Sequence, residues 1–157
     1  MGFELSVKSN TPLTGETDKD IISRLFLEYI GYITKGSEPT IPQSLFMDCF
    51  MNQPDKPWLA EEMAVKLDTS MPTVYRHLNK LKSMDILEEV KIEDPNTKQI
   101  KKGYKLRYSN LSKAWTFVEA HVSAAMENYR KTVDHLQNIV DQDKKAGKLG
   151  GAKKTKK

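Results

Sequence analysis

Apolar residues recur at helical spacing along most of the chain and alternate with polar ones in two short stretches. Ile21, Ile22, Leu25, Phe26, Tyr29, Ile30 and Ile33 share one helical face. Thr17, three residues before Asp20 in a capping-box-like arrangement, predicts where that first helix opens, and Lys35 with Gly36 predicts where it closes. The connector SEPTIP resists helix because each proline restricts the residue before it, and a second, short helix is expected from Pro42 to Asn52. After the turn QPDKP, Leu59, Met63 and Leu67 form a third stripe with Ala64 beside it, interrupted at Asp68 and Thr69. Ser70 caps the next helix, MPTVYRHLNKLKSM, whose Pro72 sits in the first turn, where the lost amide has no helical partner. Its buried stripe is Val74, Leu78 and Leu81, so Thr73, Tyr75, Arg76, Asn79, Lys80 and Ser83 point outward. The runs ILEEVKI and KGYKLRY, separated by the turn DPNT, predict a β-hairpin in which Tyr104, Leu106 and Tyr108 alternate with Lys105 and Arg107. A final stripe of Leu111, Trp115, Val118, Val122, Ala125, Tyr129, Val133, Leu136 and Val140 predicts a helix over 111–143.

Composition narrows the function classes. With 157 residues, 38% hydrophobic and 29% charged, the chain has room for one ordinary core. No stretch reaches the roughly twenty apolar residues of a membrane span, and MGFELSVKSN lacks the apolar segment of a signal peptide, so a cytoplasmic protein is expected. Residues 1–16 read as a flexible arm. Seven of the 25 Lys and Arg residues fall in 144–157, which holds no acid and reads as a disordered basic tail. The remaining 143 residues therefore carry 18 basic against 21 acidic side chains. On that acidic body, residues 70–83 hold Arg76, Lys80 and Lys82 with no acid, and residues 98–108 hold Lys98, Lys101, Lys102, Lys105 and Arg107 with none. Such islands suit a phosphate backbone, whose contacts must lie on one face; a pair of solvated basic faces is the plainer alternative.

Helix, helix, tight turn, helix, basic hairpin and long helix follow one another in an order that carries further meaning. WLAEEMAVKLDTSMPTVYRHLNKLKSMDILEEV, continued by KKGYKLRYS, resembles the winged helix-turn-helix of prokaryotic, especially archaeal, transcription regulators of the ArsR and MarR type. Residues 42–108 carry the likeness, and PTVYRHL is its most specific part; the turn position that is usually glycine is Asp68 here. The resemblance implies a mainly α fold with a small β-hairpin wing and dimerisation helices at both ends. It also implies a recognition helix in the major groove, with Ser70, Thr73, Tyr75, Arg76, Asn79 and Lys80 as candidate DNA contacts. Arg76 can offer two donors to guanine and Asn79 can pair with adenine, whereas Lys80 and Lys82 suit phosphates; Tyr75 could instead be partly buried against the wing. In the wing the candidates are Lys98, Lys101, Lys102 and Lys105.

A catalytic site needs a nucleophile or base oriented by a partner, and no such cluster stands out, so no enzyme is expected. Cys49, in the apolar run LFMDCFM, reads as a core residue, and His77 as packed or phosphate-facing. His121, His135 and Asp134 are too few to specify a metal site, and no cofactor is expected. Leu111, Trp115, Val118, Val122, Tyr129, Val133, Leu136 and Val140 form the candidate dimer interface, because one long terminal helix cannot bury its whole stripe internally. The expectation is a homodimeric, sequence-specific regulator that binds an inverted repeat of double-stranded DNA. An architectural DNA-coating protein and a protein-interaction winged helix are the competing readings.

Overall fold

The computed structural model describes residues 12–34, 36 and 38–147. Most of the arm and most of the basic tail lie outside those residues. Helix α1 (Lys19–Tyr29) opens at Asp18, whose carboxylate accepts from the amides of Asp20 and Ile21, so the cap is one residue beyond Thr17. It also ends earlier than the apolar spacing predicts. Gly31 adopts φ +80°, and the amides of Gly31 and Tyr32 donate to the carbonyls of Glu28 and Leu27, at 3.0 and 2.9 Å. That paired arrangement is a Schellman stop, which needs a left-handed residue that glycine supplies without strain. Ile30 and Ile33 still reach the core, as part of a turn.

Helix α2 (Thr40–Ser44) runs directly into a π-helical segment, Leu45–Met51. The wider turn brings Leu45, Phe46, Cys49 and Phe50 inward together, and all four are buried. A two-residue strand that the hydrophobic pattern does not reveal, β1 (Trp58–Leu59), follows, and the Trp58 indole donates to the Cys49 carbonyl at 3.0 Å. Helix α3 (Ala60–Lys66) packs on α4 (Met71–Ser83). The hairpin comprises β2 (Leu87–Glu93) and β3 (Ile100–Leu106), and β3 is central in an antiparallel sheet of order β1-β3-β2. Leu87 pairs with Leu106 at its base and Glu93 with Ile100 near its tip, while Trp58 pairs with Tyr104. Arg107 to Ser109 leave the strand as a single 3-10 turn, with Tyr108 at φ 60° and 55% exposed. The strand alternation expected for Arg107 and Tyr108 is thereby corrected.

Gly103 sits where three elements of backbone and side chain converge. A Cβ there would collide with the Ile92 side chain and lie 3.0 Å from the Pro57 Cβ. Gly103→Ala is accordingly expected to destabilise the fold by about 1 to 3 kcal/mol, the usual range for overpacking, read as a lower urea midpoint with an unchanged slope. A midpoint equal to wild type would show that Ile92 moves aside at no cost.

Helix α5 (Leu111–Lys145) begins at Asn110, whose side chain accepts from the Lys113 amide at 2.9 Å. The chain divides into two compact units, the first ending at Val118 and the second starting at Glu119. The core of the first unit draws on Leu27, Phe46, Phe50, Met63, Leu78, Leu81, Ile86, Leu106 and Val118. In the second unit, the helix continues past 143 to Lys145, so the first two lysines assigned to the tail are helical.

Candidate nucleic-acid interface

The link between α3 and α4 is built from local hydrogen bonds. Glu62 accepts from the Leu59 amide at 2.9 Å and fixes the start of α3. At its end, the amides of Asp68 and Thr69 donate to the carbonyls of Val65 and Ala64 at 3.2 and 3.0 Å, a second Schellman stop. Asp68 is its left-handed residue, at φ 50°. The aspartate thus takes the conformation that glycine would otherwise supply. Ser70 then caps α4: its hydroxyl accepts from the Thr73 amide at 3.3 Å and donates to the Thr73 hydroxyl at 2.9 Å. Ser70 and Thr73 therefore hold one another at the helix start.

Val74, Leu78 and Leu81 bury one face of α4, which leaves Tyr75, Arg76, Asn79 and Lys80 exposed on the opposite side. Tyr75 is 42% exposed and lines a concavity of about 220 Å³ together with Glu61, Lys101, Lys102 and Tyr104. Helix and hairpin thus frame one hollow.

Residues 46–90 match the family model of a helix-turn-helix domain. The match spans the π segment, β1, the α3-turn-α4 unit and the first half of β2. A solved structure described as a possible transcriptional regulator from Methanosarcina mazei Go1 is 15% identical, covers 80% of this chain and 94% of that one, and superposes with a TM-score of 0.45. Among curated proteins, none matches the chain.

Within the matched residues and the hairpin beside them, the cations divide into two groups. Lys101 bridges Glu61 of α3 at 2.9 Å and Asp94 at the hairpin tip at 3.0 Å. Lys105 lies 3.5 Å from Glu88 and donates to the Ser109 hydroxyl, Lys82 pairs with Glu89 at 2.8 Å, and Lys98 sits 3.9 Å from Glu93. Arg107 donates to the Asp85 carbonyl at 2.7 Å and covers the Phe117 ring at 4.3 Å. Lys101, Lys105 and Arg107 therefore brace the hairpin, each engaged by partners within the chain. Arg76 and Lys80 on α4 and Lys91 and Lys102 on the hairpin have no ion pair among the described residues. Lys91 lies outside both basic windows, in a stretch that also holds Glu88, Glu89, Glu93 and Asp94; its register partner across the ladder is Lys102. That pairing of like charges was hidden until the register was known.

Asp94 organises the tip. It accepts from the Asn96 amide at 2.8 Å and meets Lys101, and both interactions hold its carboxyl below the usual range. His77 lies on α4 between the exposed face and the core, with its ring edge-on to Tyr32 at 6.2 Å. Its Nδ1 and the Tyr32 hydroxyl are both buried, with no hydrogen-bond partner among the described residues. Burial, then the neighbouring Arg76 and Lys80, push the His77 pKa down. The unfolded chain takes up that proton first, so the associated stability is complete above about pH 6.5 and is lost as the pH falls from there through the folded value. The melting temperature is expected to drop between pH 7.5 and 5.5 by more in wild type than in His77→Phe; equal drops would remove His77 from the account.

Cys49 is fully buried, and burial pushes its thiol up to about 12, which withholds the thiolate that nucleophilic chemistry requires. Among the described residues no group of three or more His, Cys, Asp and Glu could hold a metal ion, and no helix is long and apolar enough to cross a membrane.

The expected dimer residues fall into different settings. Val118 is wholly buried within its own chain and Trp115 stacks edge-on against Phe26 of α1 at 5.6 Å, so both belong to the core of the first unit. Leu111 and Val122 are half-buried, as is Val140. Tyr129, Val133 and Leu136 are exposed, joined by Met126 and Ile139, which the sequence reading passed over.

Proposed function

We propose that the chain is a sequence-specific DNA-binding transcription regulator of the ArsR and MarR type, acting as a homodimer on an inverted-repeat operator and needing no cofactor or catalytic step. The observation that carries this reading is the exposed face of α4, where Arg76, Asn79 and Lys80 stand together without a carboxylate partner. A major groove admits a helix and distinguishes all four base pairs by their donors and acceptors, so that face is suited to reading sequence. Lys91 and Lys102 on the hairpin supply phosphate contacts beside it, because phosphate contacts set register and base contacts set specificity. A soluble cytoplasmic protein bound to the nucleoid follows from this role.

Two copies related by a two-fold axis would place their α4 helices in successive major grooves about 34 Å apart, which makes the site palindromic. Selection of bound sequences from a random pool, followed by titration against scrambled DNA, tests the reading. A preference of at least about a thousandfold is expected. A preference below tenfold would favour the architectural reading, and binding to an acidic protein in place of DNA would favour an interaction module.

Arg76→Ala is expected to cost about 1 to 3 kcal/mol at the selected site and much less on random DNA, since the base contact exists only where the correct base is present. Equal losses on the two DNAs would make Arg76 a phosphate contact.

A further inference from the structure

Residues opposite one another across an antiparallel ladder share a face of the sheet. On one face of the hairpin the pairs run, from base to tip, Leu87 with Leu106, Glu89 with Tyr104, and Lys91 with Lys102. The leucines belong to the core. Glu89 is answered by Lys82 of α4 at 2.8 Å, and the same ammonium lies 5.3 Å from the centre of the Tyr104 ring, so this face meets α4. Lys91 and Lys102 remain as like charges set opposite one another, which costs stability unless an anion lies between them.

The hollow between α4 and the hairpin opens at that step. Tyr104 lines it and is 4% exposed. Its hydroxyl has no hydrogen-bond partner among the described residues, yet it is not one of the polar atoms shut off from solvent, which are the Tyr32 hydroxyl and His77 Nδ1. The Tyr75 hydroxyl on the α4 wall likewise has no partner among those residues. Glu61, the carboxylate on the rim, already accepts from Lys101 at 2.9 Å. Two hydroxyls and the Lys102 ammonium are thus left unanswered. An ammonium only donates, and hydroxyls can donate beside it. A ligand of negatively charged oxygens fits that set better than a base pair, which presents a donor beside its acceptors in the major groove.

We infer that the hollow seats one phosphate of the DNA backbone, with the Tyr75 and Tyr104 hydroxyls and Lys102 as donors and Lys91 adding charge from across the ladder. The inference rests on the DNA-binding reading above and adds to it two uncharged contacts, one of them from Tyr104, a residue absent from the expected DNA contacts. With α4 in a major groove, the strand at the groove edge passes the flank of the helix, and the hollow lies on that flank. A donor whose ring is already held by burial gives up little freedom on binding, so Tyr104 fixes the height of α4 over the base edges.

Tyr104→Phe removes one oxygen and tests the seat in the full-length chain. Because that hydroxyl is unpartnered in the free protein, the variant should melt at the wild-type temperature. It should bind the selected site and random DNA about tenfold more weakly, equally on both, with an unchanged slope of log affinity on log salt, since an uncharged donor displaces no counterion. Lys102→Ala should instead lower that slope by about 0.9. Replacing phosphates of the selected site one at a time by uncharged methylphosphonates should find one position per bound copy where the DNA change and Tyr104→Phe fail to add, and Tyr75→Phe should share that position. A Tyr104→Phe chain that binds like wild type, losses that add at every phosphate, or a loss confined to the selected site would each overturn the inference and leave the DNA-binding reading in place. If Tyr104→Phe proves unfolded, Tyr75→Phe, at an exposed position, carries the same phosphate scan. A wild-type chain that binds no DNA would remove both.

Discussion

Replacing Val133 and Leu136 together by aspartate should yield a monomer that keeps its helix-turn-helix domain folded and binds the operator about a hundredfold or more weaker than wild type. Each apolar side chain of this size contributes roughly 1.5 to 3 kcal/mol when fully buried, and both lie on the stripe proposed to pair between copies. Two aspartates on that stripe would also place charge in a dry interface. Val133 and Leu136 belong to the second unit and are 55 and 62% exposed, so the core of the first unit should survive their replacement. The affinity falls because a tethered second half-site binds at a high effective concentration that a monomer does not have. Sedimentation velocity reads the mass, circular dichroism the fold, and titration of the palindrome the affinity. A double variant that remains dimeric would place the interface elsewhere.

Phe50→Ala should be the most damaging single truncation in the first unit. Phe50 is completely enclosed and sits in the π-helical segment beside buried Leu45, Phe46 and Cys49. Truncation of such a ring typically costs about 3 to 5 kcal/mol, a large share of the roughly 5 to 15 kcal/mol that holds a domain folded. For a chain of this length each kcal/mol lowers the melting temperature by about 2 to 4 °C, so a fall on the order of 10 °C is expected. The π segment cannot easily relax into the void, because the Cys49 carbonyl on the same turn is held by the Trp58 indole. A loss under about 1 kcal/mol would mean that the surrounding side chains collapse inward.

The sequence made some of this architecture plain and concealed the rest for identifiable reasons. Helix α4 was legible because a capping serine, a proline in the first turn and a regular apolar stripe all agree. The tight turn was legible despite Asp68, since aspartate tolerates the left-handed conformation. By contrast, the end of α1 was obscured because Ile30 and Ile33 are buried without being helical, which preserves the apolar spacing past the stop at Gly31. Strand β1 is two residues long, too short for any alternation to register. The candidate interface was legible only in part. Arg76, Asn79 and Lys80 follow from helical geometry alone, whereas the state of Lys101 depends on Glu61, forty residues away in sequence. Charge counting within a window treats a braced lysine and a free one alike. Lys91 shows the converse, a cation outside both basic windows although the β-ladder sets it opposite Lys102.

That division of the cations bears on how a duplex first meets the protein. A lysine and a carboxylate about 3 Å apart look nearly neutral from beyond the screening length, which is about 8 to 10 Å at physiological salt. The braced cations of the hairpin therefore add little to the field that an approaching duplex senses. In the proposed complex Arg76, Lys80, Lys91 and Lys102, without an ion pair among the described residues, would set that field on this face and with it the rate and orientation of encounter. In that complex Lys101 and Arg107 would act only after contact, by holding rigid the surface on which the duplex had arrived.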